Sequence, residues 1–90
     1  MKYKVTTLAN TIPIETDIYE AGTSKEALEM AIFDCIEMCE NPHTVDYEDY
    51  GYENEFDWIE DIHYCPYKNG FKLYYGLELI CRYTFRVEKC

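Results

Sequence analysis

From Glu26 to Tyr67 the chain contains no lysine and no arginine. Two histidines and no glycine-rich phosphate loop leave little with which to assemble acid–base or phosphoryl chemistry. No apolar run approaches the ~20 residues of a membrane span. The opening Met1-Lys2-Tyr3-Lys4-Val5 has no apolar stretch of secretory length, so a cytoplasmic protein is expected. The cysteines, Cys35, Cys39, Cys65, Cys81 and Cys90, are five in number and follow no secreted disulfide spacing; reduced thiols fit them better.

The stretch without cations is instead crowded with anions. Glu26, Glu29, Asp34, Glu37, Glu40, Asp46, Glu48, Asp49, Glu53, Glu55, Asp57, Glu60 and Asp61 fall inside it, and all eight basic residues fall outside. The whole chain has a formal charge of −10, so this one segment carries more than the total. Folding around such a block costs self-repulsion, and its simplest use is to bind a basic surface. The same field repels nucleic acid and anionic lipid, which argues against direct binding of nucleic acid or membrane. Hydrophobic content of 48% and aromatic content of 17% over 90 residues are those of one folded domain, not of a disordered acidic tail.

Residues Tyr3 to Leu8 and Ile14 to Ala21 read as strands joined by a loop containing Pro13, with Val5, Ile14 and Ile18 as the apolar points. Thr23-Ser24-Lys25-Glu26 is a capping box, and the helix it opens runs to about Cys39, ahead of Asn41-Pro42. Its apolar stripe is Ala27/Leu28, Ala31/Ile32, Cys35/Ile36 and Cys39; Glu29, Phe33, Glu37 and Glu40 share another face. Glu37 and Glu40 sit at the end of the helix where the dipole disfavours anions, by ~0.3–1 kcal/mol each. Val45 to Tyr52 reads as extended or as a loop around Gly51. Glu53 to Ile62 reads as a short helix with Phe56, Ile59 and Ile62 on its inner side. Ile62–Tyr67 is a strand turning at Lys68-Asn69-Gly70 into a long alternating run, Phe71 to Val87, bent or bulged near Gly76. The expectation is an α+β fold: an antiparallel sheet of about four strands, one main helix packed on one face, and a short acidic second helix or loop.

Three chemical readings of the acids and thiols fail on their spacing. A calcium loop starting at Asp46 places Glu48, Gly51 and Asp57 at usable positions, but Tyr50 and Glu53 spoil it. Cys35, Cys39, His43, His63 and Cys65 could ligate zinc, yet Cys35 and Cys39 fall on the apolar stripe and no C-x2-C knuckle exists. No spacing singles out a catalytic pair, so no enzyme activity, metal or cofactor is expected.

What remains is Asp46 to Asp61, with eight carboxylates interleaved with Tyr47, Tyr50, Tyr52, Phe56 and Trp58. In an extended stretch alternate carboxylates stand ~6.6 Å apart, of the order of neighbouring phosphates. Aromatic residues between them would add contact area and cation–π contacts to arginine. The expected partner-binding set is Glu37, Glu40, Asp46, Tyr47, Glu48, Asp49, Tyr50, Tyr52, Glu53, Glu55, Asp57, Trp58, Glu60 and Asp61. In size, charge layout and acid–aromatic texture the chain resembles the small acidic anti-CRISPR and antirestriction proteins of phages and other mobile elements, several of which imitate nucleic acid. That resemblance implies a non-enzymatic inhibitor that occupies the nucleic-acid-binding surface of a defence protein such as a CRISPR effector. A small structural or adaptor module, dimerising through a sheet edge, is the alternative; a zinc-binding accessory protein is a minor one.

Overall fold

The first reversal of the chain is made by two residues. In the computed structural model, which describes residues 1–90, strand β1 (Lys2–Ala9) passes into β2 (Ile12–Glu20) through Asn10 and Thr11. Both sit at positive φ, 50° and 73°, as a type I′ hairpin requires. Pro13 therefore lies in a strand rather than in the expected loop. It pairs with Leu8 beside a register shift that leaves Ile14 as the extra residue. A proline is tolerable there because β2 is an edge strand and the bulge has already broken the ladder. Asn10 also reaches the far neighbour: its N–H donates to the Arg82 carbonyl at 2.8 Å, and its Oδ1 accepts from the Arg82 N–H at 2.9 Å.

Helix α1 (Ser24–Cys39) begins as its capping residues dictate, with the Glu26 N–H donating to Thr23 Oγ1 at 3.2 Å. The Glu26 carboxylate reaches back one residue further than the simple box, to the Gly22 N–H at 2.9 Å. Ala27, Ala31 and Cys39 are its buried positions, so the small residues of the stripe let the helix lie close on the sheet. A single 3-10 turn (Tyr47–Tyr50), closed by Gly51 at φ 88°, replaces the extended stretch considered above. Helix α2 (Glu55–Asp61) is capped by Asn54, whose Oδ1 accepts from the Asp57 N–H at 3.0 Å. That cap fixes where α2 begins, and packing on Tyr75 sets its rotation. Trp58 faces inward and is wholly buried, whereas Phe56 and Ile59, expected inside, are 74% and 45% exposed.

The alternating run that looked like one bent strand is two strands. β3 (Ile62–Tyr67) turns at Lys68-Asn69 into β4 (Gly70–Tyr75), and β4 turns at Gly76-Leu77 into β5 (Glu78–Lys89). Gly76 holds φ 61° at the first turn position, the II′ arrangement. The two-residue turn sets Tyr75 opposite Glu78 and so shifts the inward–outward alternation by one. The register shift that leaves Ile80 as the extra residue shifts it back, which is why the sequence pattern stays in phase across both strands. The sheet thus has five strands in the order β2-β1-β5-β4-β3, all antiparallel, rather than about four.

β5 joins the two hairpins. Its residues Tyr83–Lys89 pair with β1 and Glu78–Thr84 with β4, so only Tyr83 and Thr84 are flanked on both sides. The stagger draws the molecule out to 44 × 21 × 19 Å. Tyr3, Val5, Phe71, Leu73, Tyr75 and Phe85 face the helices and form one core with Ala27, Ala31, Cys39 and Trp58. Ile14 and Ile18, expected as apolar contacts, are instead 57% and 56% exposed on the edge strand. Gly70 is required by close approach: a Cβ there would stand 1.9 Å from the Tyr83 carbonyl oxygen.

Two substitutions test these backbone constraints in urea titrations. Thr11→Gly relieves a β-branched residue of a left-handed conformation and should raise stability by ~1 kcal/mol. Gly70→Ala should lower it by ~2–4 kcal/mol, because the clash is with backbone and cannot rotate away. Equal midpoints for both variants and the parent would refute the assignment.

Candidate functional site

The acid–aromatic segment is held down by Tyr75 of β4. Trp58 meets it edge-on at 6.3 Å, Tyr52 at 6.0 Å and Tyr50 at 5.0 Å, while Tyr47 stacks on Trp58 at 5.5 Å. Such pairs contribute ~0.5–1.5 kcal/mol each beyond burial. Trp58 Nε1 has no acceptor, so its anchoring is by packing alone. Tyr52 adds a polar tie, its hydroxyl donating to Asp61 Oδ2 at 2.9 Å. Desolvation, and then that carboxylate, raise the Tyr52 phenol above its ordinary value. Asp61 also accepts from the Gly76 N–H through its main-chain oxygen at 2.8 Å, which fixes the end of α2 to the β4–β5 turn.

These contacts sort the expected partner-binding residues. Glu37, Glu40, Asp46, Glu48, Asp49, Tyr50, Glu53, Asp57 and Glu60 are exposed; Tyr47, Tyr52, Glu55 and Asp61 are half-buried. Trp58, at 0% exposure, is out of reach of any partner and acts as the anchor of the segment. Besides Tyr50, the large aromatic side chains that solvent reaches on this side are Phe56 and Phe33, at 74% and 62%. Neither was in the expected set. Asn54 marks the start of α2, but no signal in the sequence showed Trp58 turning in and Phe56 out. The 3-10 turn also removes the extended spacing of Asp46, Glu48 and Asp49, so a phosphate-like interval along that stretch is not present.

Both helices lie on one face of the sheet, and the acidic segment lies with them. Glu15 and Asp17 of β2 join it, since they pair with Thr7 and Val5, which point the same way. Alternate residues of the strands place Lys2, Lys4, Lys72, Arg82 and Arg86 on the opposite, uncovered face. Leu8 marks that face as well: it is 8% exposed yet stands outside the core cluster. The molecule is therefore electrically two-sided. Its one ion pair, Lys4 with Glu88 at 3.7 Å, belongs to the basic face. Every carboxylate between Glu26 and Asp61 lacks a cationic partner.

Local effects follow from this crowding. Asp17, then burial, pushes the Glu15 carboxyl above the usual carboxylate range, and Asp34 adds to it. The Tyr19 hydroxyl donates to Asp34 Oδ2 at 2.8 Å, tying β2 to α1; burial and that bond raise its phenol. Burial and the Glu40 carboxylate raise Tyr64 on β3. No basic residue occupies the last turn of α1, so Glu37 and Glu40 face the negative end of the helix unrelieved.

The residues considered for zinc do not converge. His63 and Cys65 pair with Tyr74 and Lys72 on the uncovered face, and Cys39 is in the core on the other. Nowhere do three His, Cys, Asp or Glu side chains gather at metal-binding distances, the calcium-like acids Asp46, Glu48 and Asp57 included. The Cys35 thiol is pushed up, first by its pairing with Cys39 and then by burial, which suits a packed thiol rather than a nucleophile. No helix is long and apolar enough to cross a membrane. Comparison with known protein families, with curated proteins and with solved structures gives no match.

The raised Glu15 sets the direction of one pH test. Its ionised form is disfavoured in the fold, so stability is lost as pH rises through its folded value and is recovered below the unfolded one. Asp17→Asn removes the main cause. That variant should melt higher than the parent at neutral pH, with the advantage vanishing in acid below the ordinary glutamate range. A constant difference across that range would show that the repulsion is not the source.

Proposed function

We propose that this protein is a non-enzymatic inhibitor that lays its acidic helical side on the basic surface of a nucleic-acid-binding protein and excludes DNA or RNA from it. The observation that carries this reading is the uncompensated charge. An ordinary solvated surface intersperses both signs, whereas here the carboxylates of α1, the 3-10 turn and α2 stand together without one ion pair. Five of the eight cations, Lys2, Lys4, Lys72, Arg82 and Arg86, are held on the far face of a sheet in a molecule about 20 Å thick, beyond the ~8 Å screening length of physiological salt. A partner's groove would therefore meet a predominantly negative side, with Lys25 in the first turn of α1 as its exception. Phe33, Phe56 and Tyr50 would supply its apolar contacts. The class of partner, a CRISPR effector or a comparable defence enzyme, follows from the resemblance in size and acid–aromatic texture.

Capture from a lysate rich in nucleic-acid-processing enzymes tests this reading, with added nucleic acid as competitor. Binding should weaken steeply with salt and yield to DNA or RNA. Reversing Asp46, Glu48, Asp49 and Glu53 together to lysine should reduce affinity ~10²-fold or more. Retention of the same proteins by that variant, at unchanged salt dependence, would sink it.

One observation favours a second reading. β2 is a nine-residue edge strand, and Ile12, Ile14 and Ile18 are exposed along it. Such an edge can pair with its copy in another molecule. Pro13, Glu15, Asp17 and Glu20 oppose that pairing. A salt-insensitive dimer in size-exclusion with light scattering, without affinity for basic proteins, would shift the assignment to an adaptor.

A further inference from the structure

The stagger of the sheet leaves a gap on the acidic side. β1 ends at Ala9, so β5 has no neighbour there over Glu78–Cys81, and the register shift against β4 turns Ile80 toward the helices. A cavity of about 400 Å³ opens between this bare stretch, the C-terminal half of α1 and the 3-10 turn. That size is within the ~300–1,000 Å³ of ligand pockets. Leu73 and Tyr75, at 3% and 5% exposure, form its floor, with Ile80 and Tyr83 among its walls. Its mouth has a different chemistry. Glu15 from β2, Asp46 ahead of the 3-10 turn and Asp49 within it are exposed there, and no lysine or arginine lines any part of it.

We propose that this cavity receives one arginine side chain of the partner, its methylene stem against Leu73 and Ile80 and its guanidinium held at the mouth by Glu15, Asp46 and Asp49. The inference rests on the docking reading above and gives it an anchor. A purely apolar side chain would fill the floor but would strip water from three carboxylates without replacing it, a costly exchange. An anion would be repelled by the same three groups. A long stem with a cationic head matches both regions at once. Arginine fits better than lysine because its flat, weakly hydrated group can lie on Tyr50 and Tyr83 while forking toward carboxylates. Tyr50 lines the cavity, packs at right angles to Tyr75 and is 48% exposed, so part of it is open to solvent there.

Isotope-labelled protein titrated at low salt with hexa-arginine, and separately with hexa-lysine, tests the assignment. Hexa-arginine should shift the amides of Leu73, Tyr75, Ile80 and Tyr83 together with those of the acidic surface. It should bind about tenfold more tightly than hexa-lysine, the worth of one stacked anchor. Ile80→Trp, which fills the cavity, should remove the shifts of its floor and bring hexa-arginine to the level of hexa-lysine. Asp46→Asn with Asp49→Asn, both on the surface and harmless to folding, should do the same to affinity, and the retained amide spectrum would show an intact fold. Shifts confined to Glu53, Glu55, Asp57 and their neighbours, with equal affinity for both peptides, would overturn the pocket while leaving the docking surface. No binding of either peptide would overturn both.

Discussion

Strand β5 is paired along its two halves to different partners, and the rest of the molecule is arranged around that division. Its C-terminal half completes the β1–β2 hairpin and its N-terminal half completes the β3–β4 hairpin, with only Tyr83 and Thr84 shared. At this junction the packing is at its tightest. Gly70 has no room for a side chain against the Tyr83 carbonyl, and the Tyr67 hydroxyl donates to that same oxygen at 2.6 Å. A sheet built in this way is long, narrow and stepped, so one modest core must serve both ends. Ala27, Ala31 and Cys39 let α1 lie close over the middle, and Trp58 closes the far end against Tyr75.

Charge follows from the same geometry. A sheet with helices on one side has two unlike surfaces, and this chain sends its acids to the first and most of its bases to the second. The arrangement avoids internal neutralisation. Ion pairs at surfaces contribute little to stability in any case, so forgoing them costs the fold little. What it leaves is a strong negative potential on one side, next to a concave apolar gap created by the early end of β1.

Much of the fold was legible in the residues. Thr23 with Glu26 announced the start of α1, the Ala/Cys stripe its buried side, and Lys68-Asn69-Gly70 the turn after Ile62–Tyr67. The misreadings have physical causes. The turn at Gly76-Leu77 shifts the period of two by one residue and the bulge at Ile80 shifts it back, so periodicity alone merges β4 and β5 into one strand. Positive φ at Asn10 and Thr11 is unusual for a threonine, which left Pro13 as the more obvious place for a loop. In α2 the i, i+3 spacing of Phe56, Ile59 and Ile62 competed with the face carrying Trp58. The rotation that won packs Trp58 against both Tyr47 and Tyr75.

The acidic segment itself was complete in the sequence: thirteen carboxylates without a lysine or arginine among them remain uncompensated in any fold that keeps the bases apart. The sequence likewise determined that the segment is ordered, since its tyrosines and tryptophan require burial. Which of those aromatics would be buried was a matter of helix rotation, decided only by packing on Tyr75. Tertiary structure alone collected Lys2, Lys4, Lys72, Arg82 and Arg86 onto one face, because residues far apart in the chain become neighbours only through strand register. It alone opened the cavity beneath Asp46 and Asp49, because that gap belongs to no single segment and exists where β1 stops short of the end of β5.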